Sequence, residues 1–376
     1  MKYRGFRDSK YFIRMAESLF DTFNEADIKN WIEVAKKELG GKDPFDALAI
    51  SKKNLIIKPY YDKNDTAGLI EDNLKPSKNP YLGPRGWYNT PDIVVRDCEK
   101  ANKLALLHLN NGADGIQFTL GTDIKIDKLL NQIELSACSI FFVAKIEHLK
   151  ILHDFVQYVN TKGFDKAQIV GGIFWQPPID PKSIPLQDLE GLNDFHALGN
   201  IVPPVEDPAD EIANALLSGV LSIEADQTNP AQLISQQAFS FSIGTDFFME
   251  IAKLKVFRRL WYQITQAYCA DKDDSLLLQG ISNPWNKRDF QPNANMLKST
   301  TAALSAILGG CNAITIKPEE DSLFKDRIAR NVLNILREES HLNQTADPIA
   351  GSYYLESLID QLAKTSWTKF QQKVKA

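Results

Sequence analysis

Apolar residues in this chain follow two rhythms. After Thr245 and Asp246, either of which suits a helix cap, Phe247, Phe248, Ile251, Leu254, Phe257, Leu260 and Trp261 recur at three- and four-residue steps. Glu250, Lys253, Lys255, Arg258 and Arg259 occupy the opposite face, the pattern of a helix packed along one side. Similar periods predict helices over residues 92–111, 148–161, 210–218, 293–308 and 323–338. Between them lie short runs of strand type at 86–89, 115–120, 139–144, 168–175, 220–226, 276–281 and 313–317, and an eighth strand is expected near 342–351.

Alternating strands and helices argue for βαβ units around a parallel sheet. The expected class is α/β, a closed (β/α)8 TIM barrel with an extended N-terminal arm. A doubly wound open sheet is the alternative, because periodicity does not count strands reliably. In the arm, residues 23–39 read as a helix with Asn24 as a suitable cap and Gly40-Gly41 as its stop, followed by a strand at 54–60 and a polar connector to Pro80. The expected division is 1–80 for the arm and connector and 81–350 for the barrel. Residues 351–376 read as the start of a helical linker to a further C-terminal domain.

Several strand runs alternate polar with apolar residues, where strands of a packed parallel barrel usually read as continuous Val, Ile and Leu. Gln117 and Thr119 alternate with Ile116 and Phe118; Ser222, Glu224 and Asp226 with Ile223 and Ala225; Thr315 and Lys317 with Ile314 and Ile316. Since the helix-facing side must be apolar, the polar set points into the lumen. Two readings follow: a solvated or ligand-threaded centre, or water reaching only the C-terminal ends of the strands. The pocket-lining candidates are Tyr88, Gln117, Gln176, Glu224, Gln279 and Lys317.

Composition narrows the field. The chain is 44% hydrophobic and 24% charged with a net charge of −5, so it carries no electrostatic footprint for nucleic acid. No apolar run approaches a membrane span. Cys98, Cys138, Cys269 and Cys311 are widely spaced without a CxxC pair, which reads as reduced thiols in a cytoplasmic protein. No P-loop, GxGxxG, HExxH or Gly-x-Ser-x-Gly is present. Asp194-Phe195-His196-Ala197-Leu198-Gly199 matches DxHxxG, by which many cobalamin proteins present a histidine to cobalt. Its setting differs: it follows the polar stretch 187–193 and lacks a spaced Ser-x-Leu and Gly-Gly beyond. No metal ligand is assigned.

The wording of particular segments says more than their periodicity. GTDFFMEIAKLKVFRRLW at 244–261 and DPIAGSYYLE at 347–356 closely resemble the barrel domain of the methylmalonyl-CoA mutase family. The arm resembles that family too, through Trp31, Leu39-Gly40-Gly41, Phe45 and Ile57-Lys58-Pro59-Tyr60, as does RIARN at 327–331. The resemblance implies acyl-CoA rearrangement with adenosylcobalamin, a CoA thioester along the barrel axis, and an arm that wraps a partner subunit.

The resemblance weakens at the residues that do the family's chemistry. Its catalytic chains carry His-Thr-Gln-Thr-Ser-Gly between the Arg-Arg-Leu-Trp helix and a Leu-Gly-Gly helix end. Here that interval, Leu276 to Gly310, holds no histidine, and Gln279-Gly280-Ile281-Ser282 stands in its place, followed by Trp285, Lys287 and Arg288. Asn79 to Trp87 keeps only fragments of the segment that supplies the family's tyrosine, and Trp175 and Gln176 stand where its substrate-gripping arginine would be sought. The resemblance is therefore strongest to the small, non-catalytic subunit. It implies a heterodimer with a homologous catalytic subunit, adenosylcobalamin bound by the complex and not by this chain alone, and no catalytic or cofactor-binding residue here. The alternatives are an active acyl-CoA mutase with altered substrate and an unrelated barrel enzyme.

Overall fold

Residues 88–95 make one strand position interrupted at Thr90-Pro91, and that interruption closes a sheet into a barrel. The computed structural model describes residues 27–375 apart from 70–73, 78, 80, 227–228, 269–275, 284–293 and 321. The chain divides into two compact units at Ala67/Gly68.

In the first unit, α1 (Ile28–Glu38) starts one residue after Asp27, whose carboxylate accepts from Asn30 N at 2.8 Å. Asn24 lies outside the described residues. A short α2 (Pro44–Ala47) and an antiparallel pair, β1 (Ile50–Lys52) and β2 (Leu55–Ile57), follow. Trp31 packs against Phe45 and Tyr60 with ring centroids 5.7 and 5.2 Å away.

The second unit runs β3 (Tyr88–Asn89), β4 (Asp92–Val95), α3 (Cys98–Leu109), β5 (Gly115–Leu120), α4 (Ile126–Leu129), β6 (Ser139–Ala144), α5 (Ile151–Lys162), β7 (Val170–Trp175) and β8 (Asp194–Ile201). It continues with α6 (Pro208–Glu224), α7 (Pro230–Ser235), β9 (Gln237–Ile243), α8 (Phe247–Tyr268), β10 (Leu277–Ser282), α9 (Ala294–Leu308), β11 (Ala313–Ile316), α10 (Leu323–Glu338) and α11 (Tyr353–Lys375). All pairs in the larger sheet are parallel, in the order β3-β11-β10-β9-β8-β7-β6-β5-β4. Tyr88 and Asn89 pair with Ala313 and Ile314, while Asp92 onward pairs with Gln117 onward. Pro91 has no N–H for the ladder, but its carbonyl accepts from Gln117 N at 3.0 Å, and Thr90 N donates to Ile314 O at 3.0 Å. One bent strand thus joins β11 to β5, and the expected (β/α)8 barrel is present.

Most buried apolar residues lie between sheet and helices. Phe118, Phe142, Phe155 and Phe195 form one series of ring contacts on the β5–β8 side, stacked at its two ends and edge-to-face between Phe142 and Phe155. On the other side Phe239 meets Phe257 at 4.7 Å and Trp261 at 4.9 Å. The last helix, α11, buries Leu355, Leu358, Ile359, Leu362, Ala363, Ser366 and Phe370. Its Lys369 reaches Asp207 (2.8 Å) and Asp210 (2.6 Å) at the start of α6. Just before α11, the Asp347 carboxylate takes Lys255 Nζ at 2.8 Å and Leu74 N at 2.9 Å.

Three strand and helix expectations are corrected, and two strands are added. Residues 220–226 end α6 and are not a strand; their polar–apolar alternation spans too few residues to separate two periods, whereas Asp207 caps a helix opened by Pro208. No strand occurs at 342–351, which is a series of turns. The helix expected from residue 92 starts at Cys98, because Asp92–Val95 completes the closing strand. The true fifth and sixth strand positions are β8 and β9, and β8 contains the DxHxxG run.

Candidate functional site at the barrel mouth

Alternation along each strand sorts its side chains between the helical layer and the lumen. The inward set from the closing strand, β5, β10 and β11 is polar: Thr90, Asp92, Gln117, Thr119, Gln279, Thr315 and Lys317. Gln279 Nε2 donates to Gln117 Oε1 at 2.7 Å and reaches Thr315 Oγ1 at 3.3 Å. Gln117 Nε2 donates to Asp92 Oδ1 at 2.9 Å, and Thr119 Oγ1 donates to the same oxygen at 2.7 Å. Lys317 Nζ stands 3.5 Å from the other carboxylate oxygen. Thr90 and Thr315 share a hydroxyl contact of 2.9 Å.

The rest of the axis is filled mainly by apolar side chains. Phe141 and Phe174 face each other at 6.0 Å and cluster with Ala238, Leu277 and Ala313, with half-buried Tyr88, Val143 and Ile201 against them. Gln117, Gln279, Thr90, Thr315, Phe141 and Phe174 have no exposed surface. At this level the axis is filled by side chains. Of the two readings of the polar lumen, this packing favours the one in which water reaches only the C-terminal ends of the strands, because most of these amides and hydroxyls bond to one another across the axis. Partial exposure returns at the C-terminal mouth, at Asp92, Thr119, Val143, Ser242, Ile281 and Lys317.

Of the six pocket candidates, Gln117, Gln279 and Lys317 meet in this network. Tyr88 packs against the apolar cluster; its hydroxyl accepts from Asn79 Nδ2 at 3.3 Å, and burial raises its pKa. Gln176 is exposed beyond β7, its backbone N–H donating to Ala144 O at 2.8 Å. Glu224 is corrected: it sits on α6, outside the barrel, and accepts a hydrogen bond from the Tyr268 hydroxyl. Burial and that carboxylate push the Tyr268 phenol up to about 12. Asp92 was not among the candidates. Its signal, alternation with Val94 through Ile93 and Val95, is only four residues long and followed by a helical run.

The mouth offers amides, hydroxyls and one carboxylate–ammonium pair. Among the described residues no group of three or more His, Cys, Asp or Glu is arranged to hold a metal. His196 does not fit the cobalt-ligand role. It is the third residue of β8, 5% exposed, and burial drives its pKa down to about 4, so the imidazole is neutral and enclosed. Trp285, Lys287 and Arg288 lie outside the described residues.

Comparison with known proteins agrees with this architecture. The profile of the family described as methylmalonyl-CoA mutase matches residues 207–376. The methylmalonyl-CoA mutase small subunit of Porphyromonas gingivalis is 30% identical over 94% of this chain and 64% of its own length. The corresponding small subunit of Streptomyces virginiae is 25% identical over the same shares of both chains, 94% and 64%. The methylmalonyl-CoA mutase of Cereibacter sphaeroides is 26% identical over 92% of this chain and 58% of its own. The chain therefore spans between 58% and 64% of the length of these three relatives.

Proposed function

Because this chain belongs to the methylmalonyl-CoA mutase family, we propose that it is the barrel of a small, non-catalytic subunit that supports a homologous catalytic chain. In that complex the reaction is the interconversion of methylmalonyl-CoA and succinyl-CoA. The observation that carries this reading is the Gln279–Gln117 hydrogen bond inside a filled lumen. By resemblance, the strand end around Gln279 is where catalytic members carry their histidine. Its two amide N–H donors are taken up by Gln117 Oε1 and Thr315 Oγ1, and a carboxamide has no titratable proton to give a thioester carbonyl, so the position serves packing instead of general acid catalysis.

The arm supports a partner. α1 buries none of its own residues, and Val34, Leu48, Ile50 and Ile56 are exposed. Such a surface suits another subunit better than water. Adenosylcobalamin, bound by the complex, would supply the radical chemistry of the rearrangement. The part of this chain is to present a rigid barrel, its axis closed by Phe141, Phe174 and the amide network.

Co-expression with a longer homologue that carries His-Thr-Gln-Thr-Ser-Gly tests the proposal. The two chains are expected to co-purify, and methylmalonyl-CoA turnover should require the longer one. Turnover by this chain alone with adenosylcobalamin would establish the other reading, an acyl-CoA mutase with an altered pocket.

A further inference from the structure

Arg85 lies at the N-terminal end of the barrel, away from the mouth, and is 4% exposed. Its backbone N–H donates to Asn343 O at 3.0 Å, which holds the residue in place. In the guanidinium, by contrast, Nε is enclosed without an acceptor. A guanidinium carries five donors and keeps its charge in proteins. Burying one without acceptors is costly, so native structures supply a counter-charge or ordered solvent.

Among the described residues the neighbouring carboxylate, Asp347, is shared with Lys255. Arg258 faces Arg85 with a like charge; its own terminal nitrogen donates to Gly310 O and Asn312 Oδ1, both at 2.9 Å. Asp347 attracts Arg85 but has committed Oδ2 to Lys255 Nζ and Leu74 N. The Cys311 thiol is fully buried, and burial pushes it up to about 12, so it stays neutral. Burial first, and Arg258 second, bring Arg85 itself down to about 10, which still leaves it charged at neutral pH.

We propose that Arg85 anchors a binding site for a small monovalent inorganic anion of chloride size, seated on its guanidinium and drawn inward by Arg258. A larger oxyanion with its hydration shell does not suit a residue this enclosed. The rival occupant is a water bridging Arg85 Nε and Asp347 Oδ1, since that oxygen is also buried without a donor.

Crystals of the full chain soaked in bromide distinguish the two. An anomalous peak within hydrogen-bond distance of Arg85 is expected; a water at that position with no anomalous signal overturns the proposal. In solution, replacing gluconate by chloride at constant ionic strength should raise Tm saturably, by roughly 3 °C, and Arg85→Gln should abolish the rise. A peak without that saturable response means an adventitious ion only, and an equal response in Arg85→Gln likewise overturns the site. Should Arg85→Gln fail to fold, the wild-type peak and chloride response decide together.

Discussion

The side-chain amide of Gln279 donates to the side-chain oxygen of Gln117 at 2.7 Å, joining residues 162 positions apart through the centre of the barrel. Neither has exposed surface, so the bond forms where water cannot substitute for it. Gln279→Leu leaves the Gln117 oxygen without this donor and should cost about 1–3 kcal/mol. Gln117→Leu with Gln279→Leu should cost less than the sum of the two single changes. A double-mutant cycle by urea unfolding measures the difference; strictly additive costs would show that the bond contributes nothing.

A second buried network predicts a pH dependence. Lys253 Nζ lies 2.8 Å from Glu250, 3.1 Å from Glu211 and 3.2 Å from Ser242 O, with side-chain exposures of 3%, 10% and 4% for Lys253, Glu250 and Glu211. Desolvation raises Glu211 to about 7 against the opposing pull of Lys253. A carboxylate raised in the folded state contributes stability that is complete below its unfolded pKa, near 4.5, and is lost as pH rises through about 7. Melting temperature should therefore fall between about pH 4.5 and about pH 7, the window set by those two values. Glu211→Gln should flatten that decline and melt above wild type at the alkaline end. Parallel profiles for the two proteins would assign the decline to other groups.

Asp347 explains why the DPIAGS segment matters to the fold. With 5% side-chain exposure it joins the chain before α11 to Lys255 of α8 and to Leu74. Asp347→Ala strands a buried ammonium and should cost about 3–5 kcal/mol. Asp347→Ala with Lys255→Met should recover part of that loss. Denaturant unfolding of both variants checks it.

Gly219 lies in α6 where a Cβ would approach the Trp261 ring to 2.4 Å and Phe239 to 2.8 Å. Gly219→Ala should destabilise by about 1–3 kcal/mol, although alanine is the better helix former. A more stable Gly219→Ala protein would mean that the Phe239–Trp261 contact can move aside.

Much of the fold was readable before the structure. α8, α9 and α10 were placed within a few residues by periodicity, and β5, β6, β7, β10 and β11 by short apolar runs between helical ones. β8 escaped because its polar members, Asp194, His196 and Asn200, break the apolar run. β9 escaped because Gln237, Ser240 and Ser242 dilute it in the same way. Residues 220–226 were misread for the converse reason, since the final turns of α6 happen to alternate. Of the site candidates, Gln117, Gln279 and Lys317 came from strands correctly placed, while Glu224 came from the misread segment and ended outside the barrel.

The amino-acid order by itself determined the local periods, the helix caps and the wording that marks the family, because each depends on residues a few positions apart. Only tertiary structure decided what fills the axis. Alternation tells which face a side chain takes, but not what stands opposite it. Gln279 meets Gln117 and Asp92 meets Lys317 because a bent strand at Thr90-Pro91 closes the ring. Whether a polar lumen holds water or holds itself together depends on those distant pairings.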